Sequence, residues 1–143
     1  MRKTTGWLIL IAFVACGGLT APAFAQDRPA PDLGRILGTW TLEIYADGQS
    51  IALILLLENG DDGLGGRMSE QMGMFTDAPL NNVKYDGQTL TFEITVSSPP
   101  DGMERTWLAE FAVGEDKVEG TISNAEVGIS APITGKRTKQ ISP

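Results

Sequence analysis

The chain contains no histidine and only one cysteine, Cys16, among its 143 residues. Without histidine it cannot by itself build a Ser-His-Asp or Cys-His nucleophile, an imidazole general base or a histidine-ligated metal site. A single cysteine cannot form a disulfide bond within the chain. These absences favour a protein that is not an enzyme and that has neither a cofactor nor a metal.

Positive charge is also scarce. Eleven Lys and Arg residues stand against 18 Asp and Glu residues, which gives a formal net charge of −7. Such a chain is repelled by a phosphate backbone, and this argues against a nucleic-acid partner. Acidic residues at turns, such as Asp61 and Asp62, lack the spacing of a Ca²⁺-binding loop and are typical of solvated hairpin tips.

The apolar run at residues 7–15 is too short to cross a bilayer, because a spanning helix needs about 20 such residues. It follows two basic residues and precedes Ala23-Phe24-Ala25, a pattern that signal peptidase accepts. We therefore predict a signal peptide over residues 1–25, cleaved before Gln26. The mature chain is expected to be exported, periplasmic or secreted, with no retained transmembrane segment.

Cys16 leaves a second possibility open. The segment around it resembles the lipobox of bacterial lipoproteins, in which the cysteine is lipidated and becomes the first residue of the mature chain. Phe13 stands where Leu, Val or Ile is usual. The alternative localisation is therefore a lipoprotein anchored at Cys16.

The rest of the chain is typical of short strands separated by tight turns. Residues 26–35 form a Pro-rich lead-in, in which Asp32 could cap a single helical turn before Gly38. Residues 36–139 alternate apolar and polar side chains between Gly- and Asp-rich turns, and residues 140–143 form a tail. The alternation predicts strands over residues 39–46, 51–57, 64–71, 80–84, 90–96, 107–113, 118–122 and 127–133.

These strands predict an all-β fold. No connection is long enough for a crossover between parallel strands, so the neighbours should pair antiparallel. Eight sequential strands close naturally into an up-and-down barrel, and the alternative is a β-sandwich. Pro132 in the last strand predicts an edge or bulge position there.

Gly38-Thr39-Trp40, at the start of the first strand, resembles the Gly-x-Trp signature of lipocalins and related calycin barrels. The layout of residues 36–139 is similar to that of small lipocalin-like domains exported by bacteria. The resemblance implies that Trp40 closes the barrel floor beneath a basic side chain of the last strand. Arg137 is the candidate for that side chain, through a cation–π contact.

The inward face of such a barrel is predicted to be apolar, with no polar group on it. An eight-stranded barrel is just wide enough to be filled by side chains or to hold one small molecule, so both possibilities stay open. The predicted inward set is Trp40, Leu42, Ile44, Leu53, Leu55, Phe92, Ile94, Trp107, Phe111, Ile122 and Ile129. If the barrel is hollow, the ligand-binding residues are Trp40, Leu42, Leu55, Phe92, Ile94, Trp107 and Phe111.

Met72, Met74 and Phe75 lie in an irregular segment between two strands. Because methionine adapts its shape to varied apolar surfaces, we predict that these residues form a pliable portal at the barrel mouth. Thioether sulfur also binds Cu(I), but the loose spacing and the absence of histidine give this alternative little support.

The second strand, from Ile51 to Leu57, is apolar on both faces. Ala52, Ile54 and Leu56 would point outward, and an outward apolar stripe is typical of an interface with a protein partner or a second copy of the chain. Alternatively, the Pro-rich lead-in could fold across this stripe.

Together, these patterns predict an exported, non-catalytic barrel that binds a small apolar ligand in its interior or at its mouth. The alternative is a filled barrel that acts as a protein-interaction or structural module.

Overall fold

The computed structural model describes residues 29–98 and 100–138. The predicted signal peptide, Cys16 and the tail at residues 140–143 lie outside the described residues. A 3₁₀ turn, Leu33–Arg35, is followed by eight strands. The strands are β1 (Gly38–Ala46), β2 (Gln49–Gly60), β3 (Gly63–Glu70), β4 (Ala78–Tyr85), β5 (Thr89–Ser98), β6 (Met103–Val113), β7 (Lys117–Asn124) and β8 (Ile129–Arg137).

The eight strands form one closed antiparallel barrel in sequential order, in which β8 pairs with β1. The predicted up-and-down barrel is therefore confirmed, and the β-sandwich is excluded. We call the end with the turns after β2, β4 and β6 the lower end, and the opposite end the upper end. In the described part of the chain, no helix is long and apolar enough to cross a membrane.

Several strands are longer than the alternation predicts. The β2 ladder continues to Gly60, and β6 begins at Met103 rather than at residue 107. Apart from Met103, the additional residues are polar or glycine and lie at the strand ends, where backbone pairing continues after the apolar pattern has stopped. The sequence shows side-chain burial, whereas strand bounds follow the backbone hydrogen bonds.

Pro132 lies in β8 of the closed barrel, although proline has no backbone N–H to donate to a neighbouring strand. It pairs with Thr121 on β7, while the ladder between β1 and β8 ends one residue away, at Ile44 and Ile133. The missing N–H of proline is tolerated where the ladder to one neighbouring strand has already ended. Pro132 is therefore at a local edge, as the sequence predicts.

The middle of the barrel is filled by side chains. Phe92 and Phe111 are in contact, with ring centroids 5.7 Å apart and an interplanar angle of 34°. An internal cavity that could admit water would leave its walls accessible. The side chains there are at most 2% exposed, namely Trp40, Leu42, Leu53, Leu55, Leu57, Met68, Leu90, Phe92, Ile94, Phe111 and Ile133.

The 3₁₀ turn closes the lower end. Trp40 Nε1 donates a hydrogen bond to the carbonyl of the buried Ile36, at 2.8 Å. The Arg137 guanidinium lies 4.6 Å from the centroid of the Trp40 ring, and its Nη1 donates to Leu37 O at 2.7 Å. Asp32 caps the turn by accepting a hydrogen bond from the Gly34 N–H at 3.0 Å. The first and last strands are thus joined at the floor.

The described part of the lead-in, residues 29–32, does not lie over the outward stripe of β2. Together with Asp86, Gly87 and Gln88 it lines a groove of about 450 Å³ at the lower end. Pro31 lies beside Gly87, since a Cβ added to that glycine would be 3.8 Å from the Pro31 Cβ.

Candidate functional site

The predicted ligand-binding residues separate into two groups. Six of them are buried, five in the filled middle of the barrel and Trp40 at its lower end. Trp107 is half-buried and lies toward the upper end, where it packs against the edge of the core. The structure therefore does not place all seven residues around one cavity. The six buried residues are Trp40, Leu42, Leu55, Phe92, Ile94 and Phe111.

The predicted portal residues are at the upper end, in the loop over residues 71–77 that joins β3 to β4. Met72 and Met74 are exposed, whereas Phe75 is half-buried and packs against the core. This loop lies at the same end of the barrel as Trp107.

Exposed apolar side chains are concentrated at this upper end. Six of the eight large apolar side chains that are exposed in the described residues lie toward this end. Tyr45 faces the outer wall, and the other five range from 39% exposed at Val127 to 91% at Met72. Their positions follow from the topology, because the loops after β3, β5 and β7 all emerge at this end. We call this set the apolar rim: Met72, Met74, Met103, Val127 and Ile129.

Ile129 belongs to the rim rather than to the core. The alternation correctly places it on the same side of β8 as the buried Ala131 and Ile133, but it is 43% exposed. It is the first residue of β8, above the level at which the interior is filled. Below the rim, Ile44, Ile51, Phe75 and Trp107 are half-buried and pack on the core from above.

The inward face is not wholly apolar, and the prediction that no polar group lies on it is wrong. Glu70, Ser98 and Asn124 are buried at the upper ends of their strands. The side chain of Arg105 is only 10% exposed. Each of these residues stabilises one of the loops that carry the rim.

Glu70 stabilises the loop at residues 71–77. Its Oε2 accepts a hydrogen bond from the Met74 N–H at 3.0 Å, and its backbone N–H donates to Phe75 O at 2.9 Å. A buried carboxyl group needs such a donor, because burying even an uncharged polar group without a hydrogen-bond partner costs about 2–7 kcal/mol. Glu70 thereby fixes the backbone next to the two portal methionines.

Arg105 and Asp101 stabilise the connection between β5 and β6. Arg105 Nη1 donates to Asp101 Oδ1 at 2.8 Å and Nη2 donates to Asp101 Oδ2 at 2.7 Å, in the two-point geometry that favours arginine. Nη1 also donates to Ser98 O at 3.2 Å. The hydrogen bonds from Arg105 and from the Met103 N–H lower the pKa of Asp101 to about 2.

The same contact raises the pKa of Arg105 through the hydrogen bond to Asp101, which outweighs the lowering effect of burial, and the charges of Asp101 and Glu126 raise it further. The guanidinium is therefore matched by carboxylates and is not available as a free positive charge for an anionic ligand. This favours neutral apolar contacts at the site.

Asn124 stabilises the turn between β7 and β8. Its Nδ2 donates to Thr106 O at 3.0 Å, and its Oδ1 accepts from the Val127 N–H at 3.1 Å. The amide holds the backbone from which Val127 projects. All three loops of the rim are thus ordered by an inward polar side chain.

A sequence signal for these polar residues exists. Glu70 is two residues after Met68, Asn124 two residues after Ile122, and Arg105 two residues before Trp107. Each therefore continues the inward parity of its strand. The apolar residues define the predicted inward set, and these polar residues at the upper strand ends therefore fall outside it.

Two further concavities in the described residues differ from the apolar rim, because charged side chains line them. One of about 310 Å³ lies on the outer wall over β1, β7 and β8 and includes Glu43, Tyr45 and Lys117. Another, of about 370 Å³, follows the outer side of β3. Within residues 29–98 and 100–138, no group of three or more Asp, Glu, His or Cys side chains is placed to hold a metal ion.

No family model, curated protein or solved structure matches this chain. What the structure shows is a closed eight-stranded antiparallel barrel, which is compatible with the lipocalin-like architecture.

Proposed function

We propose that this chain is an exported, non-catalytic barrel that binds a small apolar ligand at its upper mouth. The observation that carries the proposal is the apolar rim, which gathers most of the exposed large apolar side chains of the described residues. Apolar surface costs about 25 cal/mol per Å² when it is left in water, and concentrated patches mark binding sites.

The mouth supports this role better than the interior does. Around Phe92 and Phe111 the side chains leave no accessible surface, so a ligand could enter only by displacing well-packed groups. At the upper end, an apolar surface already lies beneath the rim and is formed by the half-buried Ile44, Ile51 and Trp107. A ligand there would gain contacts on both sides without unpacking the core.

The neutral character of the ligand follows from the charges around the mouth. The Arg105 guanidinium is bound by Asp101, and Glu70 is bound to the Met74 N–H. The chain as a whole carries a net charge of −7. An anionic ligand would therefore meet repulsion, whereas a neutral apolar molecule would bury the methionines at little electrostatic cost.

Titration of the protein with the neutral dye N-phenyl-1-naphthylamine tests the proposal. We expect saturable binding, with quenching of Trp107 fluorescence that disappears in a Trp107→Phe variant. The double variant Met72→Asp/Met103→Asp should weaken binding at least about tenfold, because carboxylates replace apolar contacts at the rim. Leu108→Asp is the matched control, since Leu108 is 46% exposed but lies on the outer wall. Absence of saturable binding, or equal weakening by the control, would contradict the proposal.

A filled barrel that acts through its outer wall is the second candidate. It is favoured by the packed interior and by the outward stripe of β2, where Ile54 is 41% exposed and is flanked by the half-buried Ala52 and Leu56. Sedimentation of the wild type and of Ile54→Asp distinguishes the two candidates. A wild-type dimer that dissociates in Ile54→Asp would support this second function.

A further inference from the structure

Backbone pairing between β3 and β4 is interrupted over most of their length. Each strand has eight residues, but only two residue pairs join them, Arg67 with Pro79 and Met68 with Ala78. Toward the lower end, each strand continues to pair only with its other neighbour, β2 or β5. Among the described residues, the closed barrel therefore contains a local pair of open strand edges.

Two bends explain the parting. At Gly66 the β3 backbone lies so close to β2 that an added Cβ would be 2.2 Å from Leu56 O. In β4 the register shifts between Asn81 and Lys84, and Asn82 between them has a φ of 50°. A close approach at glycine and a bulge both turn a strand out of a regular ladder. The two strands thus diverge below Arg67.

The open edge of β3 can be assigned residue by residue. The Gln71 N–H donates to a carbonyl of β2 at 3.1 Å, whereas the Glu70 N–H donates to Phe75 O at 2.9 Å, away from β2. Alternate residues of a strand direct their backbone groups to opposite neighbours. The β2–β3 register runs without a shift down to Gly63, so Leu64 and Gly66 direct their N–H and C=O groups into the parted seam.

A groove of about 370 Å³ follows this edge on the outside of the barrel. A Cβ added to Gly60, Gly63 or Gly65 would meet no atom within 4 Å, so the groove has free space along its glycine backbone. Four carboxylates and one guanidinium line it, those of Glu58, Asp61, Asp62, Asp77 and Arg67. The Arg67 guanidinium is 3.7 Å from Glu58 and 3.9 Å from Asp77, and neither of these is a close pair.

We propose that the β3 edge binds an extended segment of a partner protein as an added strand, and that this segment carries lysine or arginine side chains. The backbone groups of Leu64 and Gly66 supply the strand-to-strand hydrogen bonds. The excess of carboxylates in the groove selects a basic segment over an acidic one. The edge groups of Leu64 and Gly66 lie toward the lower end, away from the apolar rim, whereas the groove itself reaches up to Asp77 in the loop at residues 71–77.

The probe for this site is an acetylated hexapeptide of alternating valine and lysine, followed by amide hydrogen exchange of the full chain. Saturating peptide should slow exchange of the Leu64 and Gly66 amides at least about tenfold. Two N-methylated peptides are compared, one methylated at its odd-numbered residues and the other at its even-numbered residues. One of them should lose binding and the other should keep it, because only one edge of the peptide faces β3. Binding that survives in both methylated peptides would overturn the proposal, as would protection confined to other residues.

Variants of the protein separate backbone pairing from charge. Leu64→Pro removes the edge N–H and should abolish peptide binding, whereas Leu64→Ala removes the side chain but keeps this N–H and should retain peptide binding.

The contribution of charge is tested separately. Asp61→Asn/Asp62→Asn should weaken peptide binding about tenfold at low salt, compared with Asp47→Asn/Glu115→Gln as a charge-matched control at other turns. Equal loss in both pairs would show binding to the overall negative charge only and would overturn the proposal. If Leu64→Pro does not fold, the two methylated peptides still test backbone pairing with the wild-type protein.

Discussion

The guanidinium of Arg137 lies over the indole ring of Trp40, 4.6 Å from its centroid, and so joins the end of β8 to the start of β1. Its Nη1 also donates to Leu37 O, which fixes the turn that closes the floor. The upper end has no such closure among the described residues and carries the apolar rim instead. The barrel is therefore fixed at one end and presents its exposed apolar surface at the other.

Replacement of Arg137 should destabilise the barrel. Arg137→Met loses the cation–π contact and the hydrogen bonds to backbone carbonyls, and we expect the free energy of unfolding to fall by about 2–3 kcal/mol. Arg137→Lys keeps a positive charge but not the fork of donors, so its loss should be smaller. Urea unfolding measures both, and a wild-type midpoint for Arg137→Met would show that the floor contact contributes nothing.

The contact between Asp101 and Arg105 predicts a dependence on acid. The pKa of Asp101 is about 2 in the folded chain, below its ordinary value of 3.8. Folding therefore favours the ionised carboxylate, and this stabilisation is present above about pH 4 and is lost as the pH falls toward 2. Titration of the Asp101 carboxyl carbon by NMR should give the low pKa, and Arg105→Gln should raise it toward the ordinary value. An unchanged titration in the variant would assign the shift to another cause.

Two adjacent glycines should respond differently to alanine. In Gly66→Ala the new methyl group would be 2.2 Å from Leu56 O, and we expect a loss of about 1–3 kcal/mol in the free energy of unfolding. In Gly65→Ala the methyl group meets no atom within 4 Å, so stability should change little. Parallel unfolding curves compare the two, and equal stability would argue against the close approach of β3 to β2.

Export predicts a processed N-terminus. Expressed with its full leader in a bacterial host, the mature protein should begin at Gln26, and intact mass spectrometry determines this. A mature chain that begins at Cys16 with the added mass of acyl groups would instead show lipoprotein processing. An unprocessed chain would contradict both.

The alternation of apolar and polar residues between short turns was enough to predict the barrel architecture. Regular alternation, as in residues 90–96, together with turns such as Asp47-Gly48, specifies which side chains face inward and where the chain reverses. With eight such strands in sequence, closure follows from short connections and the cost of free edges.

The candidate site could be predicted only in part. Whether the barrel is filled depends on how the volumes of Phe92, Phe111 and Trp40 combine in three dimensions, and alternation carries no information on volume. The loop contacts of Glu70 and Asn124 link inward positions to backbone groups several residues away, beyond the apolar pattern. The parting of β3 from β4 depends on the close approach at Gly66, which in the sequence is one glycine among 17.

Binding at the mouth is tested most directly by mapping where N-phenyl-1-naphthylamine shifts the amide and indole resonances of the ¹⁵N-labelled protein. We predict saturable shifts concentrated at the rim residues Met74 and Ile129 and at the Trp107 indole, with little change at Phe92. Shifts confined to the outer wall, at Ile54 or Leu108, would contradict the account, as would shifts centred on the packed interior.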